Sequence, residues 1–187
     1  MIEIEKKFQI ESFDAIRKQL ESGDLNVISK ANSASQSDEY FNHRQLRFDL
    51  MDIALRIRQV NDVHVLTFKG PNQDATTKIR KEVEVSLGEE DSAKMVEMFL
   101  GMGMHSVAKV CKTRDTVSLQ WQDAHVEVCL DAVEEVGCFV ELEIVAENDE
   151  DIPAAKQKLE SLANQLGLEG SITTSYLELL LDARGEL

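Results

Sequence analysis

The sequence has 187 residues, 43% hydrophobic and 29% charged, a mix that supports one globular domain over 1–187 and excludes a disordered chain. Acidic residues outnumber basic ones 35 to 20, a formal net charge of −15, which argues against long nucleic acid and anionic membrane as partners because both are polyanions. No apolar run approaches the ~20 residues of a membrane span, and Met1-Ile2-Glu3-Ile4-Glu5-Lys6-Lys7 carries charges where a signal peptide needs an apolar stretch, so a cytoplasmic location is expected.

In chain order, residues 2–9 alternate apolar and polar and predict a strand with Glu3, Glu5 and Lys7 on one face and Ile2, Ile4 and Phe8 on the other. Ser12 then precedes Phe13, Ile16 and Leu20 at helical spacing. The small, polar stretch Ser29–Ser37 reads as a surface loop. Strands follow over 38–48, 53–60 and 63–69, with Asn61-Asp62 as the two-residue turn between the last two, and another over 79–87. Asp91 or Ser92 would cap a helix carrying Ala93, Val96, Phe99 and Leu100, which Gly101 and Gly103 end. Strands over 106–120, 124–131 and 138–146 complete the sheet. A helix starts at Pro153, carries Ala155, Leu159, Leu162, Ala163 and Leu166, and stops at Gly167. A short last helix carries Tyr176, Leu177, Leu179 and Leu180. The fold class is α+β, an antiparallel sheet of about eight strands with peripheral helices.

Parity then assigns faces. Arg56 and Arg58 oppose Leu55 and Ile57, Thr67 and Lys69 oppose Leu66 and Phe68, and Arg80, Glu82 and Glu84 oppose Ile79, Val83 and Val85. Lys112 shares a face with Arg114, Glu127 with Asp131, and Glu141 with Glu143. If Asn61-Asp62 is the turn, Arg56 faces Thr67 and Arg58 faces Val65, so Arg56, Arg58, Thr67 and Lys69 lie on one surface. A merely solvated face, as in an acidic protein-interaction domain, would mix its charges; here same-sign sets recur. A polyphosphate would call for the cations and divalent metals for the paired carboxylates. Sealing so many ions in a dry core would cost several kcal/mol each. A closed barrel with a wet, charged interior and helices outside avoids that cost and removes the sheet edges. A second copy of the chain as cover for the apolar outer face, a homodimer, stays open.

Cys111, Cys129 and Cys138 have no C-x-x-C spacing, and His43, His64, His105 and His125 are scattered, so neither disulfides nor zinc is indicated. Gly101-Met102-Gly103 reads as a helix stop, not a dinucleotide motif.

In order along the chain stand Glu3-Ile4-Glu5-Lys6-Lys7, Asp38-Glu39-Tyr40-Phe41, Leu55-Arg56-Ile57-Arg58 and Thr67-Phe68-Lys69-Gly70-Pro71. Then come Arg80-Lys81-Glu82-Val83-Glu84, Lys112-Thr113-Arg114, Asp131 with Gly137, Phe139, Glu141 and Glu143, and Ser175-Tyr176-Leu177-Glu178-Leu179-Leu180. The whole set resembles the CYTH superfamily of triphosphate tunnel metalloenzymes, and the length and ending resemble its class IV adenylyl cyclase branch more than thiamine triphosphatase. The resemblance implies a closed eight-stranded antiparallel β-barrel, the triphosphate tunnel, working with Mg²⁺ or Mn²⁺. It implies Glu3, Glu5, Asp131, Glu141 and Glu143 as metal ligands, and Lys7, Arg56, Arg58, Lys69, Arg80, Lys112 and Arg114 as the phosphate grip. Glu82 and Glu84 would support them, with Glu5, Lys7, Arg58 and Lys69 closest to the chemistry. Phosphoryl transfer needs charge neutralisation and in-line positioning more than a protein nucleophile, which suits a chain without a Ser-His-Asp set or a Walker-type loop.

Three functions follow for comparison. A cyclase would convert ATP to cyclic AMP and pyrophosphate. A phosphohydrolase would cleave thiamine triphosphate or tripolyphosphate. A non-catalytic polyphosphate or nucleotide binder would keep the cations but could dispense with the carboxylate pairs.

Overall fold

The computed structural model describes residues 2–187, with backbone alone at 31 and 32. Eight strands, β1 (Ile2–Ile10), β2 (Asn26–His43), β3 (Ala54–Val60), β4 (Val63–Lys69), β5 (Lys78–Leu87), β6 (Met104–Trp121), β7 (Ala124–Val133) and β8 (Gly137–Ala146), form a closed barrel. Their order around it is β1-β5-β4-β3-β2-β6-β7-β8, and β8 pairs back to β1 from Ile2↔Ala146 to Ile10↔Cys138. Every pairing is antiparallel.

The expected hairpin register holds: Val60 pairs with Val63, Arg56 with Thr67 and Arg58 with Val65. Asn61 takes the left-handed conformation (φ 53°) that such a turn requires and that Asn tolerates. Ser29–Ser37 is not a loop but the middle of β2, which pairs with β6 from Asn26↔Gln120 to His43↔Met104 through register shifts. The long partner strand pairs with most of this stretch across the register shift between 31 and 34, and that pairing overrides the weak strand preference of small polar residues. The strand also ends at His43 rather than 48, where the chain turns: the Arg47 amide donates to the His43 carbonyl at 2.9 Å, and the Gln45 and Leu46 amides donate to His43 Nδ1.

Helices α1 (Asp14–Glu21) and α3 (Ile152–Leu166) cover the outer face of β1, β6, β7 and β8, burying Ile16, Leu20, Leu159 and Leu162 against Ile4, Val128, Val140 and Leu142. Gly167 ends α3 in the left-handed conformation (φ 67°). Helix α2 (Glu89–Gly101) begins two residues before the expected caps, its first turn carrying Glu89, Glu90 and Asp91, and packs Phe99 on Phe41, Leu55 and Ile57.

The fourth helix, α4 (Tyr176–Arg184), corrects the picture of helices lying only outside. Tyr176 and Leu180 pack with Tyr40, Ala108, Val110, Val133 and Phe139. These share the inward parity of Arg56, Asp38, Lys112 and Asp131, their cross-strand partners. The helix therefore plugs one end of the barrel. Two local features aim it there. The Ile172 amide donates to the Lys7 carbonyl at 2.8 Å, and Ser175 with Glu178 forms a capping box. The opposite end carries the β3–β4 and β6–β7 hairpin turns.

Candidate active site

Alternation on all eight strands turns one side chain in two toward the barrel axis, and the barrel gathers the charged face predicted from the sequence into one interior. The plugged end is the most deeply buried. Lys7, Lys112, Asp131 and Asp38 are each at most 3% exposed. Asp131 accepts from Lys112 Nζ at 2.9 Å, from the Tyr176 hydroxyl at 2.9 Å, and from both edges of the Arg114 guanidinium at 2.6 and 2.5 Å. Lys7 Nζ lies 3.2 Å from Glu141 and 3.6 Å from Glu5, donates to the Thr174 carbonyl at 3.2 Å, and stands 3.9 Å above the Tyr176 ring.

Exposure rises only a little elsewhere in the interior, to 15–17% at the Arg58, Lys69, Glu3 and Glu143 side chains. Asp38 receives the fork of Arg58 at 2.7 and 2.8 Å and Arg56 at 3.2 Å. Lys69 Nζ reaches Glu3 at 2.6 Å and Glu82 at 3.3 Å, and Lys78 Nζ reaches Glu5 at 3.3 Å. Arg114 also contacts Glu141 and, at 3.4 Å, Glu143. The wet interior expected from energetics is thus met differently: the cations and acids are buried against one another, and mutual pairing lowers the cost of enclosure.

The structure brings Glu5, Glu141 and Glu143 together, with one carboxylate oxygen of each lying within 4.8 Å of the others. Glu3 pairs with Lys69 beside this group, near enough to raise Glu143, and Asp131 is committed to Lys112, Arg114 and Tyr176. Arg80, expected in the phosphate grip, instead bonds Asp52 at 2.5 Å in the loop after β2. Glu84 is exposed and accepts from the Thr67 hydroxyl at 2.9 Å. Three lining residues were not singled out from the sequence as site residues. Lys78 lies just outside the strand predicted over 79–87, Asp38 enters the sequence reading only within the Asp38-Glu39-Tyr40-Phe41 motif, and Tyr176 lies on a helix expected outside the barrel. Parity from Tyr40 back to Asp38, opposite Arg58, was a signal available for the second.

Burial and neighbours reshape the ionisation of these groups. Burial pushes the Glu143 carboxyl up to about 8, Arg114 opposes this, and Glu3, Glu141 and Glu5 reinforce it. Glu82 rises to about 8 through burial and its hydrogen bond with Glu3, while Glu3, despite burial, is held at about 2 by Lys69 and by that same bond. Burial lowers Lys78 and Lys112 to about 8, with Lys7 and Arg114 respectively adding repulsion. Glu141 lies well below the usual carboxylate range because Lys7, Arg114 and Lys112 outweigh its burial. The Cys129 thiol is pushed well up by burial and by Glu143, so it stays protonated, and all three cysteines are free.

Hard oxygen donors in a tight group suit a divalent cation such as Mg²⁺ or Mn²⁺. No described helix is long and apolar enough to cross a membrane.

Residues 1–176 match the CYTH domain. A Methanocaldococcus jannaschii protein, MJ0240, whose name assigns it provisionally to the adenylate cyclases, is 33% identical over 181 residues, covering 96% of this chain and 98% of its own. The adenylate cyclase CyaB of Aeromonas hydrophila is 25% identical over 171 residues, 90% of this chain and 82% of its own. Among solved structures, the PH1819 protein of Pyrococcus horikoshii superposes with a TM-score of 0.82 at 35% identity, over 96% of this chain and 98% of that one.

Proposed function

The chain belongs to the CYTH family, whose members act on triphosphates with divalent metal, and from that premise we propose that it is an adenylyl cyclase of the class IV type. ATP would bind with its triphosphate inside the barrel and Mg²⁺ or Mn²⁺ on Glu5, Glu141 and Glu143. The observation that carries this reading is the meeting of those three carboxylates with the buried cations around them. The names of the Methanocaldococcus and Aeromonas relatives support the choice of cyclase.

A bound divalent ion would neutralise phosphate charge and help orient the leaving group. The remaining work falls to this chain's side chains. Lys7, Arg56, Arg58, Lys69, Lys112 and Arg114, joined by Lys78, would exchange their present carboxylate partners for phosphate oxygens. These donors are already buried and gathered inside the barrel, so the exchange would bring them to phosphate without first removing them from bulk water. Glu5, Lys7, Arg58 and Lys69 would stand nearest the reacting phosphates, while Glu3 would hold Lys69. Arg80, tied to Asp52, would lie at the margin of the grip, and Glu84 would steady Thr67. In the reaction the ribose 3′-oxygen would bond to the α-phosphorus, the bond from that phosphorus to the oxygen bridging it to the β-phosphorus would break with that oxygen leaving on pyrophosphate, and the hydroxyl proton would pass to water. The products are cyclic AMP and pyrophosphate.

The test is a product analysis of the purified protein with ATP, tripolyphosphate and thiamine triphosphate, each with Mg²⁺ or Mn²⁺. Cyclic AMP with equimolar pyrophosphate from ATP is expected. Orthophosphate as the product would assign the protein to triphosphate hydrolysis instead, and tight binding without turnover would make it a binder.

A further inference from the structure

Gln36 is a polar group of the barrel interior that the site described above does not use. It is 9% exposed, and its side-chain Oε1 is buried without a hydrogen-bond partner. It precedes Asp38 by two residues on β2 and therefore shares the inward face. Across the strands it pairs with Lys112, and its diagonal neighbours on the same face are Arg58 and Arg114. Gln36 is thus a neutral amide set among cations that already have carboxylate partners.

A buried acceptor left unpaired is costly in a folded protein and calls for a donor. Phosphate oxygens cannot supply one, since they are acceptors themselves. A carboxylate at this position would be drawn into pairing with Lys112, Arg58 or Arg114 and would repel a triphosphate, whereas an amide oxygen stays available. A hydroxyl group of the ligand is the donor that fits. We propose that Gln36 accepts a hydrogen bond from a ribose hydroxyl of the bound nucleotide, and is a specificity-determining residue that favours nucleoside triphosphates over bare polyphosphate. The inference rests on the ATP reading given above.

The experiment is a thermodynamic cycle on the full chain by titration calorimetry with Mg²⁺. The probes are α,β-methylene-ATP, its 2′,3′-dideoxy analogue and tripolyphosphate. In the unsubstituted protein the dideoxy analogue is expected to bind about tenfold more weakly than α,β-methylene-ATP. In Gln36→Met that penalty falls below twofold. The unliganded melting temperature of Gln36→Met stays at or above that of the unsubstituted protein, because the change removes an unpaired polar atom. A dideoxy penalty that survives in Gln36→Met overturns the proposal. So does equal weakening of all three probes, or a lowered melting temperature, each of which marks a structural role. An unsubstituted protein with no dideoxy penalty and no preference for α,β-methylene-ATP over tripolyphosphate overturns the ATP reading itself, and the role of Gln36 with it.

Discussion

Glu5 meets Lys78 at 3.3 Å and Lys7 at 3.6 Å on one side and shares a candidate metal cluster with Glu141 and Glu143 on the other. Replacing it by Gln keeps the shape and removes the charge. Lys78, already lowered to about 8, accommodates the loss by releasing its proton. Glu5→Gln is therefore expected to remain folded by circular dichroism yet lose turnover by about 10²–10³-fold, the scale seen when one preorganised electrostatic group is removed. Arg58→Ala leaves Asp38 with Arg56 as its partner and is expected to lose activity on the same scale. Near-full activity in either variant contradicts its place in the site. At this scale the sequence was most readable where residues alternate in a strand, as in Arg56, Arg58, Thr67 and Lys69. It was least readable for Gln36, because the side-chain direction of a Ser-rich stretch exists only once β6 pairs with it.

The ends of the barrel show what elements add. The pattern Ser175 to Leu180 marks a capped helix, but nothing in a helical repeat says whether that helix lies outside a barrel or closes it. Its destination is set by tertiary contacts: the Ile172 bridge to β1, the Tyr176 ring beneath Lys7 and the Tyr176 hydroxyl on Asp131. Tyr176→Phe keeps the ring and its edge-on contact with Phe139 but removes a donor from a fully buried carboxylate. A loss of about 1.5–3 kcal/mol in unfolding free energy is expected, read from denaturant titration. Leu180→Ala, at 2% exposure in the same cluster, is expected to cost about 2–5 kcal/mol. An unchanged stability in both variants would mean that α4 does not close the barrel.

Across the whole molecule, the net charge of −15 describes the outside. The exposed runs Glu89–Asp91 and Glu147–Asp151 carry acid into solvent, while the barrel encloses cations, so exclusion of long polyanions does not extend to a small one. The interior also makes stability depend on pH. Between about 4.5 and 8 the unfolded chain has released the Glu143 and Glu82 protons that the folded chain keeps, so without metal, stability falls as pH rises. Glu3 acts in the opposite sense at lower pH: from about 4.5 down to about 2 the unfolded chain binds a proton that the folded one refuses, and stability falls with acid. The metal-free protein is therefore expected to melt at a lower temperature at pH 8 than near pH 5. Added Mg²⁺ or Mn²⁺ should raise the melting temperature more at pH 8, where the cation no longer competes with protons on the carboxylates. A flat profile, unmoved by metal, would contradict this electrostatic picture.

The most direct test of the central claim, that a divalent cation and a triphosphate meet inside this barrel, is ATP turnover by the purified protein with Mn²⁺ and again in excess EDTA. The account predicts cyclic AMP and pyrophosphate in equal amounts with metal and neither in EDTA, with activity returning when metal is added back. Undiminished turnover in EDTA would contradict it.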